Sequence, residues 1–364
     1  MDMLVCSCGH NAGAHHNTLS PKYSIGIIWN LSYWAYLWRN SQMEFDQPFL
    51  QLPWRFDANA LSSEVASLPD SFWLEHPSGL PGNSAVPLVS VNGEMNHAFD
   101  GSMKATEALT SSPYLNQVVS SFGEVVARSR LMRLEPGAKV AEHVDFNYHW
   151  VSRVRIHVPI ITDPDVVFYC GDEAVHMKAG ESWLFDSWRR HRVVNSSKVR
   201  RVHLVIDLAG SSRFWQIVRR ADTTAPITVL PGAGEQHLLR TEQFPVAPVM
   251  APGEMLAIVE QVLQDCEANP ENDVDTMRAY RHLLLDLVHD WREVWGLYGF
   301  TEPAFPQFRK LLERTASQLL PNPRVLVTAS NKVGINPIIN QRILSAALRP
   351  RRVAEFSPGH NPTA

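Results

Sequence analysis

The chain has 364 residues, a formal net charge of -4, 45% hydrophobic and 19% charged residues. That is enough apolar sequence for two domains with their own cores. The mild acidity excludes an overall electrostatic pull toward nucleic acid or an anionic membrane.

Residues 1–42 carry no clear fold signal and are read as an extension, not necessarily native, with the natural start at Met43. The apolar run at 24–38 is shorter than the ~20 residues a membrane span needs, and Asn30 and Ser32 interrupt it. No basic stretch precedes a small-residue cleavage site, so no secretory signal is expected. Cys6, Cys8, His10, His15 and His16 match no standard zinc spacing. With Cys170 and Cys266 the chain has four cysteines, too few for a disulfide framework, so a reducing cytoplasm is expected.

From residue 43 to about 131 the pattern is mixed. Asp57 can cap a helix through Ala60, Leu61, Val65 and Leu68, and residues 114–126 read as a second helix. Residues 130–207 then read as short strands: RLMRL, RVRIHVPII, VVFYC, SWLFD, RVV and RVHLVIDL. Turns at Pro136-Gly137, Asp163-Pro164, Gly171-Asp172, Gly180 and Asn195-Ser196 separate them. Strands at this spacing predict a sandwich or jelly roll. Residues 226–252, rich in Pro and Gly, read as a linker. Three apolar stripes follow, at Met255–Leu263, Met277–Trp295 and Phe308–Leu319, and predict a helical C-terminal domain over 253–349. Residues 350–364 read as a disordered tail. The expected organisation is thus 1–42, 43–225, 226–252, 253–349 and 350–364. The apolar stripes need a surface to bury against, so 250–345 should pack on the jelly roll and shape access to its pocket.

His143-Val144-Asp145 follows the turn Glu135-Pro136-Gly137. Residues two apart on a strand share a face, so this pair aims an imidazole and a carboxylate at one point. His191, from a later strand, would complete a set of two histidines and one carboxylate, which leaves metal positions open in non-haem Fe(II) oxygenases. Alone, H-x-D is a weak signal. Arg201, ten residues after His191 on the next strand, adds a guanidinium suited to a dicarboxylate, and the combination is far more specific. The neighbour Arg200 should point the other way. His149, His176 and His203 read as surface or core residues, Asp186 as a turn or ligand-orienting group, and Trp183 and Trp188 as core and pocket wall. The basic residues Arg189, Arg190, Arg192, Lys198, Arg200, Arg201, Arg213, Arg219 and Arg220 have only Asp207 as a nearby acid in sequence. They read as a solvated face or as steering for an anionic co-substrate.

The stretches LEPGAKVAEHVD, RVRIHVPI and GESWLFDSWRRHRVVNSSKVRRVHLVID resemble the aspartyl/asparaginyl β-hydroxylase family of 2-oxoglutarate oxygenases. The resemblance covers roughly a fifth of the chain. It implies a double-stranded β-helix, with His143, Asp145 and His191 as Fe(II) ligands, Arg201 as the clamp on the far carboxylate of 2-oxoglutarate, and Arg155 and His157 lining the same cavity. It implies hydroxylation of an amino-acid unit, free or in a peptide or natural product, with O2 consumed and succinate and CO2 released. No nucleic-acid or membrane partner is expected. Two alternatives remain: another cupin-type dioxygenase, against which Arg201 stands, and a non-catalytic binding or sensor protein on the same scaffold.

Overall fold

The computed structural model describes residues 47–350 except Ser78, 234–237 and 245–246. The expected extension with its cysteines and histidines, the start at Met43 and the tail lie outside the described residues. From Val125 to Leu208 the chain alternates between two sheets, with the hairpin Val166–Cys170 and Glu173–Val175 as one step in the smaller. Val125–Leu134, Val154–Ile161, Ser182–Phe185 and Arg201–Leu208 lie in the larger, nine-stranded sheet. Lys139–His143, Val166–Cys170, Glu173–Val175 and His191–Asn195 form the smaller one. That alternation is a double-stranded β-helix, the jelly roll expected from the sequence.

The turns fall where glycine or proline interrupts the apolar runs. Gly137 (φ 74°) closes the first crossover and its N–H donates to Asn195 O at 2.8 Å. Gly180 (φ 80°) must be glycine for a second reason: a Cβ there would stand 2.3 Å from Phe56 O. Between the sheets, Phe49, Leu134, Phe168, Phe185 and Val193 pack as one apolar cluster.

Asp57 caps the helix Ala58–Ser67 as expected, accepting from the N–H of Asn59 and Ala60. The second helix is shorter than its apolar run. It spans Pro113–Ser121, after which Gly123 at φ 65° turns the chain and the first jelly-roll strand begins at Val125. Asn83–Val91 is an unexpected strand of the larger sheet. It is buried on nearly every residue, so it shows no alternation. Residues 226–252, expected as a linker, contain Ile227–Val229, which pairs parallel with Trp54–Phe56, and Arg240–Thr241, which extends the large sheet beside Val125.

The helical region holds Pro252–Glu267, Val274–Tyr298 and Phe305–Gln318, and the stripes read from the sequence are its core. That core does not stop at the helices. Phe146, Tyr148, Val151 and Trp188, all from jelly-roll loops, pack against it. No helix among the described residues is long and apolar enough to cross a membrane.

Candidate metal centre

Antiparallel pairing sets His191 directly opposite His143, so the two imidazoles leave the small sheet side by side, with ring centroids 4.2 Å apart. Asp145 sits just past the strand end, where its N–H donates to Ser187 O at 3.0 Å. One ligand atom from each of the three residues lies within 4.8 Å of the others, with both Nε2 atoms 3.9–4.0 Å from the Asp145 carboxylate.

Each histidine is oriented by its own backbone. His143 Nδ1 donates to Ala141 O at 2.8 Å and His191 Nδ1 to Arg189 O at 3.0 Å. That fixes the tautomer and leaves both Nε2 lone pairs facing Asp145. Burial pushes the His191 pKa down to about 4, so the ring is neutral at neutral pH, the form a metal requires. Asp145 Oδ2 is buried with no hydrogen-bond partner. A buried carboxylate oxygen without a donor is costly unless a cation takes that place. Two imidazole nitrogens and one carboxylate oxygen fit an Fe(II) ion with open positions.

Arg201 lies on the opposite sheet, at only 4% exposure. Its Nη2 donates to His203 Nδ1 at 2.7 Å, its Nε has no partner, and burial alone pushes its pKa down to about 9. No carboxylate of the described residues pairs with it. Around it are further orphaned polar atoms: both ring nitrogens of His157, His203 Nε2 and Thr162 Oγ1. Such a concentration of unsatisfied polar atoms, with at least one donor each from Arg201, His157, His203 and Thr162, fits an anion of hydrogen-bonding breadth, as a dicarboxylate is. Arg200 points outward onto Glu135, so the register expected for the pair holds.

Arg155 is engaged differently from the sequence expectation. Its guanidinium forks onto Asp207, at 2.8 and 3.1 Å, and stands 3.7 Å from Asp145 Oδ2 over the Trp150 ring. Arg155 shares a face with His157 and stands beside Asp145, the candidate carboxylate ligand, with its guanidinium held by Asp207. Burial alone would raise the Asp207 carboxyl, yet Arg155 and His149 hold it well below the usual carboxylate range. The remaining residues singled out from the sequence are structural. His176 bonds Val166 O, and Asp186 caps the turn to Trp188 and pairs with Arg189. Much of the basic run is paired, with Arg190 on Glu142 and Arg213 near Glu124.

Two arginines escaped the sequence reading. Arg128 and Arg130 lie on the large sheet, cross-strand from Asp207 and Val205, hence on the same face as Arg155 and His157. Both are buried. Arg128 stands over Phe99 and 3.7 Å from Asp207, while Arg130 has no ion pair among the described residues. Burial, then Arg128 and Arg155, press the Arg130 pKa well down. The signal was present as R-x-R before the first turn, but alternation alone does not tell a buried arginine from an exposed one.

His149 gives a pH dependence. Burial pushes its pKa from 6.5 to about 4, although its Nε2 lies 3.1 Å from Asp207. Between those values the unfolded chain binds a proton that the folded chain refuses. Stability is therefore complete above pH 6.5 and falls as the pH drops toward 4, by about 1.4 kcal/mol per unit from this group. His149→Gln keeps a donor to Asp207 without titrating. Urea unfolding of the metal-free protein between pH 6 and 4.5 should show a slope shallower by about that amount; an unchanged slope would remove His149 from the balance.

Residues 93–210 match the family model described as Aspartyl/Asparaginyl beta-hydroxylase. The chain is 29% identical over 150 residues to L-proline cis-3-hydroxylase 1 of Streptomyces sp, covering 38% of this chain and 51% of that protein. It is also 29% identical over 110 residues to L-proline cis-4-hydroxylase of Rhizobium meliloti (strain 1021), covering 30% and 39%. The chain thus spans about half the length of these relatives or less. A solved 2OG-Fe(II) oxygenase family oxidoreductase from Burkholderia pseudomallei aligns over 44% of this chain and 85% of its own, at 12% identity and a TM-score of 0.34. Residues 93–210, which are similar to the aspartyl/asparaginyl β-hydroxylase family, hold His143, Asp145, His191 and Arg201.

Proposed function

We propose that the protein is an Fe(II)- and 2-oxoglutarate-dependent hydroxylase of an amino-acid unit. The observation that carries this reading is the pairing of a converging His143–Asp145–His191 set with a buried, acid-free guanidinium, Arg201, on the facing sheet. His143, Asp145 and His191 would hold the iron, and Arg201 with His157 and His203 the far carboxylate of 2-oxoglutarate. The bound metal supplies activation of O2, with 2-oxoglutarate as the source of two electrons, for insertion of one oxygen into a C–H bond. The chain's own part is to keep His191 neutral, orient all three ligands, exclude water and aim that bond.

The substrate side is where Arg128, Arg130 and Arg155 gather against Asp207. Three buried cations against Asp207, already engaged, and Asp145, turned toward the proposed metal, favour a substrate that brings a carboxylate of its own. The relatives are named as hydroxylases of L-proline, which carries one. A free or modified amino acid is therefore the first class to screen.

Succinate release from 2-oxoglutarate with Fe(II), stimulated by members of an amino-acid panel, tests the reading. No succinate with or without any substrate would favour the non-catalytic binding protein. Arg130→Met should retain the slow substrate-independent release while raising half-saturation by the stimulating amino acid roughly 30-fold or more. An unchanged half-saturation would place the substrate carboxylate elsewhere.

A further inference from the structure

Arg342 belongs to the helical region, on the single π-helical turn Asn340–Leu344, and it is 0% exposed. Its sequence neighbours Ile339 and Ile343 are core residues of that region. A fully buried guanidinium in such company is expensive unless its contacts compensate. One contact stays within the helical region, where Nη1 donates to Gln261 Oε1 at 3.3 Å, and two others reach the jelly roll. Nε donates to Phe146 O at 3.0 Å, and the guanidinium lies 4.1 Å above the Trp188 ring. Phe146 is the residue after Asp145. Trp188 is three residues before His191 and next to Ser187, whose carbonyl accepts from the Asp145 N–H.

One side chain from outside the family segment therefore grips both loops that present metal ligands. A second grip lies beside it. Asn331 Nδ2 donates to Trp188 O at 2.9 Å, Arg190 Nε donates to Asn331 O at 3.0 Å, and Trp188 Nε1 donates to Ser330 Oγ at 2.8 Å.

The three ligands are not equally secured. His143 and His191 are paired strand residues, fixed by the ladder. Asp145 lies beyond the strand, and its placement depends on the Ser187 bond and on what holds the next peptide. We propose that Arg342 is a positioning residue for the metal centre, through which docking of the helical region sets the metal affinity of the jelly roll. This rests on the triad reading above. Coupling of this kind is reciprocal: metal that favours the held loops also favours the docked helices.

Mn(II) binding to the full-length protein, followed by the loss of the free-ion EPR signal, tests it, with circular dichroism reporting the metal-free fold. Arg342→Met should stay folded while its dissociation constant for Mn(II) rises about 10-fold or more, the usual effect of losing a residue that orients a ligand. Arg342→Lys, which keeps the charge but not the flat fork, should recover part of the loss. A folded Arg342→Met with unchanged Mn(II) affinity overturns the proposal. Should that variant not fold, hydrogen exchange of the wild-type protein decides. Saturating Mn(II) should slow the amides of residues 338–343 about 10-fold or more, and unchanged exchange overturns the proposal. His143→Ala run alongside separates the two readings: if it binds Mn(II) as the wild type does, the triad assignment itself fails.

Discussion

Arg201→Ala should weaken 2-oxoglutarate binding by about 2–5 kcal/mol, the cost of leaving a buried carboxylate without its charged partner. Iron binding should be nearly unchanged, because Arg201 stands on the sheet opposite the ligands. Arg201→Lys should fall between, since it keeps the charge and loses the two parallel donors. Arg200→Ala should matter little, because that side chain faces Glu135 outside the cavity. Titration of 2-oxoglutarate into the Fe(II) protein, read by the metal-to-ligand charge-transfer band, gives all four numbers. Equal affinity in wild type and Arg201→Ala would move the anchor to the unsatisfied His157 and His203, since Arg155 is already committed to Asp207.

His143→Ala, Asp145→Ala and His191→Ala should each abolish Fe(II)-dependent turnover and remove most of the stabilisation that metal gives the fold. A ligand that binds only the native state adds stability in proportion to the logarithm of one plus the ratio of its free concentration to Kd, so loss of affinity appears directly as loss of the metal-induced rise in Tm. The metal-free proteins should differ in an informative way. The His143 side chain is 43% exposed and its removal should be nearly neutral for the fold. His191 is buried between Phe168 and Phe185, so its truncation also opens a cavity. Asp145→Ala leaves Arg155 with one acid instead of two. Full metal affinity in any one variant would take that residue out of the ligand set.

Much of this was legible because jelly-roll strands and turns are local. VVFYC and RVHLVIDL are strands at the limits their apolar runs indicate, and Gly137, Gly171 and Gly180 take the positive φ their turns need. The triad was legible because two of its members share one short stretch and the third pairs with the first across a ladder. What escaped depends on distance in sequence. Arg155 reads as a cavity residue from its strand, but its partner Asp207 comes from a strand some fifty residues on. Arg130 stands out only because no acid among the described residues forms an ion pair with it, which its own strand does not show. Arg342 sits nearly two hundred residues from Phe146, inside an apolar stretch that gives no hint of a polar task.

The alternation of strands between two sheets has a further consequence. His143 and His191 belong to one sheet and Arg201 to the other, and facing sheets stand about 10 Å apart. Phe49, Phe168, Phe185 and Val193 fill the space between and fix that separation. On the function proposed above the sandwich would work as a calliper, with the length of diacid it accepts a property of the whole barrel. An acid one carbon shorter or longer must leave one end unmade, whatever its charge. Trimming Phe49 or Val193 would reset the gauge and change which diacid is accepted, while leaving the Phe168 and Phe185 rings that pack on His191 in place.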